Sequence, residues 1–253
     1  VNLSISRFFK ATALILLLVS TTVYSQWSEP PQEEIIIRGG WLFDGISNTR
    51  RQNTGIVIRQ GKIVEVDANL QGKVLTSTSV VDLTDSETIL PGMIDLHAHY
   101  NFDLVDVGRV EEVVNNGIIF LANGVTSTWS AGEYYPERVI RQRDLVDSGK
   151  GTGPRLFVSG PYFGGFRCEY NIKTAADDCS AWPNDITEKE IRAEVDKWAE
   201  QGVVSIKIKQ ATPSETKILI EQAHKNGMTT TGHLSNYHGE YDVHPRDAIL
   251  MGL

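Results

Sequence analysis

The stretch that decides the fold is Leu90-Pro91-Gly92-Met93-Ile94-Asp95-Leu96-His97-Ala98-His99. Pro91-Gly92 closes a region of short β segments, and the pattern changes after it. Met93 to His97 reads as an apolar strand. His97 and His99 stand two residues apart, so both project to one face of an extended chain. At the C-terminal end of a barrel strand that face is the mouth of an active site. Two imidazoles converging there suit a zinc-class metal. Asp95 shares the face one step deeper, either orienting a ligand as an outer carboxylate or capping a buried hydrogen bond.

Downstream, strand-length apolar runs alternate with amphipathic helical stretches. Val110 to Ala122 predicts a helix, Gly124 to Trp129 a strand, and Pro136 to Ser148 a helix opened by proline. Arg155 to Ser159 is a third strand. Ile186 to Gln201 is a helix with a capping box, Thr187 and Glu190. Val203 to Ile208 is a fourth strand, Pro213 to Asn226 a helix stopped by Gly227, and Thr229 to His233 a fifth strand. Pro245 to Met251 begins a further helix. Such repeats imply a parallel sheet with right-handed crossovers. A doubly wound sheet usually carries a Gly-rich phosphate loop after its first strand. Here two histidines occupy that position, so the α/β class predicted is a TIM barrel.

Upstream, residues 1–25 read as a secretory signal peptide. Arg7 and Lys10 form its positive end, Ala11 to Val19 its apolar core, and Val23-Tyr24-Ser25 the cleavage site. The alternative is a retained anchor, but the apolar run is shorter than the roughly 20 residues that span a bilayer. The expected location is periplasmic or secreted, with no stable membrane anchor. Residues 26–34 form a polar linker. Short strands follow at Ile35–Ile37, Gly55–Ile58, Ile63–Val66, Val80–Leu83 and Thr88–Leu90, the second and third joined as a hairpin. Residues 35–90 thus predict part of a small β-sandwich, and residues 91–253 a partial barrel. A complete barrel has eight units in about 250 residues, and only about five fit here.

The 253 residues carry a formal net charge of −8, with 41% hydrophobic and 22% charged side chains. That balance suits a globular protein and argues against nucleic acid as a partner. Cys168 and Cys179 share one loop. After export a local disulfide is the leading reading and two thiols the other.

Lys207, in Ser205-Ile206-Lys207-Ile208-Lys209, points toward the barrel mouth near the end of the fourth strand. Burial lowers a lysine's pKa and makes the neutral amine reactive. Such an amine can take up carbon dioxide as a carbamate, an anionic metal ligand; pairing with a carboxylate is the plainer role. Lys209 has the same parity and competes for the assignment. His233 ends the fifth strand, so histidines recur at strand ends. His224 falls inside a helix, and His238 and His244 follow the fifth strand. The loop from Gly160 to Asp185 is long for this kind of connection. Its aromatics, Tyr162, Phe163, Phe166, Tyr170 and Trp182, predict either a substrate-facing lid or a surface elaboration with its own apolar cluster.

Leu90 to His99 resembles the first-strand signature of the amidohydrolase superfamily. Gly202 to Ile208 is similar to the carboxylated-lysine strand of its imidazolonepropionase-like and prolidase-like branch, and Gly232-His233 to the next ligand strand. The resemblance implies one or two divalent metal ions, zinc by preference. His97 and His99 would bind one ion, carboxylated Lys207 would bridge, and His233 would bind the second. It further implies hydrolysis of a C–N bond in a small amide, cyclic amide or dipeptide-like substrate. The family's sixth-strand histidine and eighth-strand aspartate, its proton shuttle, have no counterpart here, so no catalytic acid or base is identified. Asp247 to Leu253 resembles the helix leading into the sixth strand, which implies a C-terminally truncated chain. A non-catalytic, metal-stabilised binding protein and an esterase or lactonase of the same fold are the rival readings. Homo-oligomerisation is left open.

Overall fold

The computed structural model describes residues 34–66, 70, 79–104, 108–167, 181–234 and 243–253. The predicted signal peptide, nearly all of the linker, Tyr170, His238 and the Cys168–Cys179 pair lie outside them. The chain divides into two compact units, one reaching Pro91 and the other Gly92–Leu253.

In the first unit, β1 (Glu34–Leu42) pairs antiparallel with β2 (Arg51–Gln52) and β3 (Gly55–Arg59). β3 forms a hairpin with β4 (Lys62–Val66), and β5 (Ser79–Ile89) runs parallel to β1. Residues 35–38 of β1 pair with both β3 and β5, so those strands lie on its opposite edges. The hairpin turns at Gln60 and Gly61, both at positive φ, as a two-residue turn requires. Ile36, Val57 and Leu70 form the small core. Among the described residues this region is one five-stranded mixed sheet, and the two predicted strands at residues 80–90 are one continuous β5.

The second unit alternates strands and helices. Its strands are β6 (Met93–Ala98), β7 (Asn101–Leu104), β8 (Gly108–Glu111), β9 (Val125–Ser130), β10 (Arg155–Phe157), β11 (Tyr162–Phe163), β12 (Ser205–Lys209) and β13 (Thr229–His233). Its helices are α1 (Val113–Ala122), α2 (Pro136–Asp147), α3 (Glu188–Glu200), α4 (Pro213–Lys225) and α5 (Pro245–Met251). The sheets β6–β9–β10 and β11–β12–β13 are parallel throughout. Val204 N–H donates to the Val158 carbonyl at 3.0 Å, and Glu133 bridges to Pro161, which links the two sheets. The strand positions therefore follow chain order: β6, β9, β10 with β11, β12, β13.

One boundary differs from expectation. Residues 108–111 pair antiparallel with residues 101–104, so the helix predicted from Val110 starts at Val113. The Glu112 carboxylate caps it, accepting from Asn115 N–H at 3.1 Å. Periodicity assigned Val110 to the helix because it is blind to cross-strand pairing.

The main core lies between sheet and helices. Ile206 and Ile208 of β12 pack with Ile191, Val195 and Trp198 of α3 and Leu219, Ile220 and Ala223 of α4. Each such buried aliphatic chain contributes about 1.5–3 kcal/mol. Because strand side chains alternate, this packing commits the odd residues of β12 to the other face. Gly92 is needed for close approach: a Cβ there would fall 2.0 Å from Thr126 Oγ1.

Candidate metal centre

Register assembles the site. Lys207 lies beside Tyr162 on one neighbour and Thr231 on the other, and Lys209 beside His233. Paired residues of a parallel sheet share a face, so Lys207, Lys209, Tyr162 and His233 project opposite to the helix-side core.

His97 lies near the end of β6 and His99 just beyond it; both residues are exposed, with ring centroids 5.2 Å apart and planes at 72°. The Asp95 carboxylate accepts from the His97 main-chain N–H at 2.9 Å. This exposed bond ties Asp95 to the strand end beside His97 and leaves both roles of Asp95 open. Burial depresses the His97 pKa, the nearby Lys207 charge depresses it further, and Asp95 opposes both. The lysine amine therefore lies within the field of the first-strand histidine, although the two are far apart in sequence.

Lys207 is 4% exposed, and no carboxylate pairs with it among the described residues. Burial alone pushes its amine below the usual lysine range. An isolated buried ammonium is costly, so burial raises the share of neutral amine. Lys209 has different surroundings. Its Nζ sits 3.0 Å from the centre of the Phe166 ring and 5.9 Å from that of Tyr162, where cation–π attraction supports the charged form. Of the two lysines, Lys207 has the environment of a reactive amine.

The donor set fits a metal in one particular sense. Among the described residues no three His, Cys, Asp or Glu side chains form a metal-holding group by themselves. The further donor on this face is the buried amine of Lys207, for which no carboxylate partner is seen among the described residues. The other histidines stand elsewhere: His224 lies in α4, and His244 Nδ1 accepts from Arg246 N–H at the start of α5.

The aromatic candidates divide. Tyr162 faces the lysines and clusters with Tyr134 and Phe166. Phe163 and Trp182 lie in the helix-side core, with ring centroids 6.2 Å apart. Trp182 Nε1 donates to Glu215 at the start of α4 at 3.0 Å. The Arg167 guanidinium covers both rings and pairs with Glu194 of α3 at 2.8 Å.

Sequence reading passed over the end of β9. Glu133 follows it and is 3% exposed, with its N–H bonded to the Gly160 carbonyl at 2.9 Å. Tyr100 is buried and bonds Thr128 Oγ1 at 2.6 Å. Burial pushes the Tyr100 phenol up to about 12; the Thr128 bond opposes this, and the charges of Glu133 and Asp95 add to it. Strand-end position, the rule that picked out His97 and His233, would have found Glu133 as well.

Comparison with known proteins agrees with this architecture. A crystal structure of a Xaa-Pro dipeptidase with bound methionine superposes with a TM-score of 0.64 at 22% identity, covering 79% of this chain and 56% of that one. A prolidase complexed with N-methylphosphonate-L-proline gives 0.63 at 19% identity, covering 87% and 59%. Molinate hydrolase gives 0.62 at 20% identity, covering 80% and 54%. Uncharacterised proteins of Mycobacterium tuberculosis and Mycobacterium bovis are 29% identical over 131 residues, which are 50% of this chain and 20% of theirs. The chain thus spans little more than half of the solved structures and a fifth of the mycobacterial proteins. The amidohydrolase family is matched over residues 88–248, from the end of β5 into α5. The α/β unit that carries the two histidines of β6, the buried lysine of β12 and the histidine of β13 belongs to the amidohydrolase family.

Proposed function

We propose that His97, His99, Lys207 as a carbamate, and His233 hold one or two divalent ions, zinc by preference, in an exported hydrolase. Its substrate is a small amide, cyclic amide or dipeptide-like molecule cleaved at a C–N bond. The observation that carries this reading is Lys207: a buried amine, with no carboxylate partner among the described residues, whose charge is felt at His97. Nucleophilic addition of the neutral amine to carbon dioxide forms an N–C bond and releases one proton. The product is a carboxylate-like group at the end of a fixed stem. Burial lowers the His97 pKa, which favours an imidazole that presents a lone pair. A bound divalent ion would supply a water of pKa about 7 and polarise the scissile carbonyl.

The parallel strands are proposed as part of an eight-stranded barrel. β6 and β13 each have one strand neighbour among the described residues, and Leu96 on β6 is 71% exposed. Export is supported by the N-terminal charge and hydropathy pattern. Among the described residues no helix is long and apolar enough to cross a membrane.

The test is turnover of an amide panel, including Xaa-Pro dipeptides, by the full-length protein. Chelation is expected to abolish turnover, and zinc with bicarbonate to restore it. Turnover indifferent to chelation contradicts the reading. Metal binding with no turnover of any amide or ester favours the non-catalytic alternative.

A further inference from the structure

The end of β9 crosses the stem of Lys207 at Gly132. A Cβ on Gly132 would lie 2.9 Å from Lys207 Cγ, 3.0 Å from Lys207 Cβ and 2.8 Å from Tyr162 Cε1. Real Cβ atoms essentially never approach other heavy atoms closer than 3.0 Å. Gly132 also holds φ +95°, a region that other residues rarely adopt.

The neighbours fix where the collision would be relieved. Ala131 N–H donates to the Ala98 carbonyl at the end of β6, and Glu133 N–H to the Gly160 carbonyl, each at 2.9 Å. Gly132 is thereby tied on both sides, to the first strand and to the third, and its backbone has no slack in which to retreat. Tyr162 is buried between Tyr134 and Phe166, and β12 is laddered to β11 and β13. The soft element left is the lysine side chain beyond its Cβ.

We infer that Gly132 is a positioning residue for Lys207. Its missing side chain leaves the space through which the lysine stem passes, and a larger residue displaces the amine from the face it shares with His233. This rests on the metal-site reading above and adds a determinant that is not itself a ligand.

The experiment compares Gly132→Ala with Gly227→Ala in the full-length protein. Gly227 holds φ +71° with nothing within 4 Å of its Cβ position, so it reports backbone strain without a collision. Zinc content and the 13C carbamate resonance after labelling with 13C-bicarbonate are read alongside the melting temperature. Gly132→Ala is expected to weaken zinc binding about 10- to 100-fold, as loss of an orienting partner does, and to lose the carbamate signal. Gly227→Ala should keep both. If Gly132→Ala does not fold, Gly132→Ala with Lys207→Ala decides. The inference expects that removing the stem beyond Cβ recovers part of the lost melting temperature, and equal failure of single and double variants overturns it. A carbamate signal and zinc content in Gly132→Ala equal to wild type also overturn it. Absence of the carbamate in wild type instead sinks the metal-site reading.

Discussion

Tyr100 ties a single side chain to the surroundings of the site. Its hydroxyl is buried against Thr128 Oγ1, within the influence of Asp95 and Glu133. The folded-state pKa of about 12 exceeds the unfolded value near 10. The folded form therefore holds the phenolic proton more tightly. The stability linked to that proton is intact below about pH 10 and is lost as pH rises through about 12. Tyr100→Phe should flatten the fall in urea midpoint over this window, with an unchanged slope as the contrary result. At neutral pH it should cost about 1–3 kcal/mol, because buried Thr128 loses its partner. The lysine pair shows what residue-level reading can reach. Parity placed Lys207 and Lys209 on one face and could not separate them. The structure adds that Phe166 meets Lys209 through a loop whose path no sequence rule supplies.

Among the elements, α3 and α4 both begin with a capping box, but in different surroundings. At Thr187 the reciprocal bonds with Glu190 are solvent-exposed. At Thr212 they are partly buried, and Glu215 also accepts from Trp182 Nε1. Thr187→Ala should cost about 1 kcal/mol. Thr212→Ala should cost more, toward about 2 kcal/mol, because its loss also loosens the carboxylate that holds Trp182. Urea denaturation of the two variants checks the order; a cheaper Thr212→Ala would contradict it. The box at Thr187 is legible because all its information is local. The strand–helix alternation from Met93 to Met251 is legible for the same reason, and α5 has its predicted bounds. The hairpin of β7 and β8 was hidden because Val110 satisfies helical spacing and strand pairing equally well. The parallel placement of β5 beside β1 depends on a crossover that pattern alone does not specify.

At the scale of the molecule, the second unit brings β6, β12 and β13 into one order of strands, and with them residues distant in sequence. Those residues were legible as a set because each sits at a strand end with the same parity. Gly132 was not, because its requirement comes from a contact with Lys207 that exists only after folding. Burial of the Lys207 amine is the feature on which the account depends. The most direct test is the zinc content of the full-length protein and of His97→Ala and Lys207→Ala, measured by elemental analysis after dialysis in zinc-containing buffer. The account predicts bound zinc in wild type, a loss of about 10-fold or more in affinity for each variant, and partial recovery of Lys207→Ala with a short-chain carboxylic acid. Equal zinc in all three proteins would contradict it.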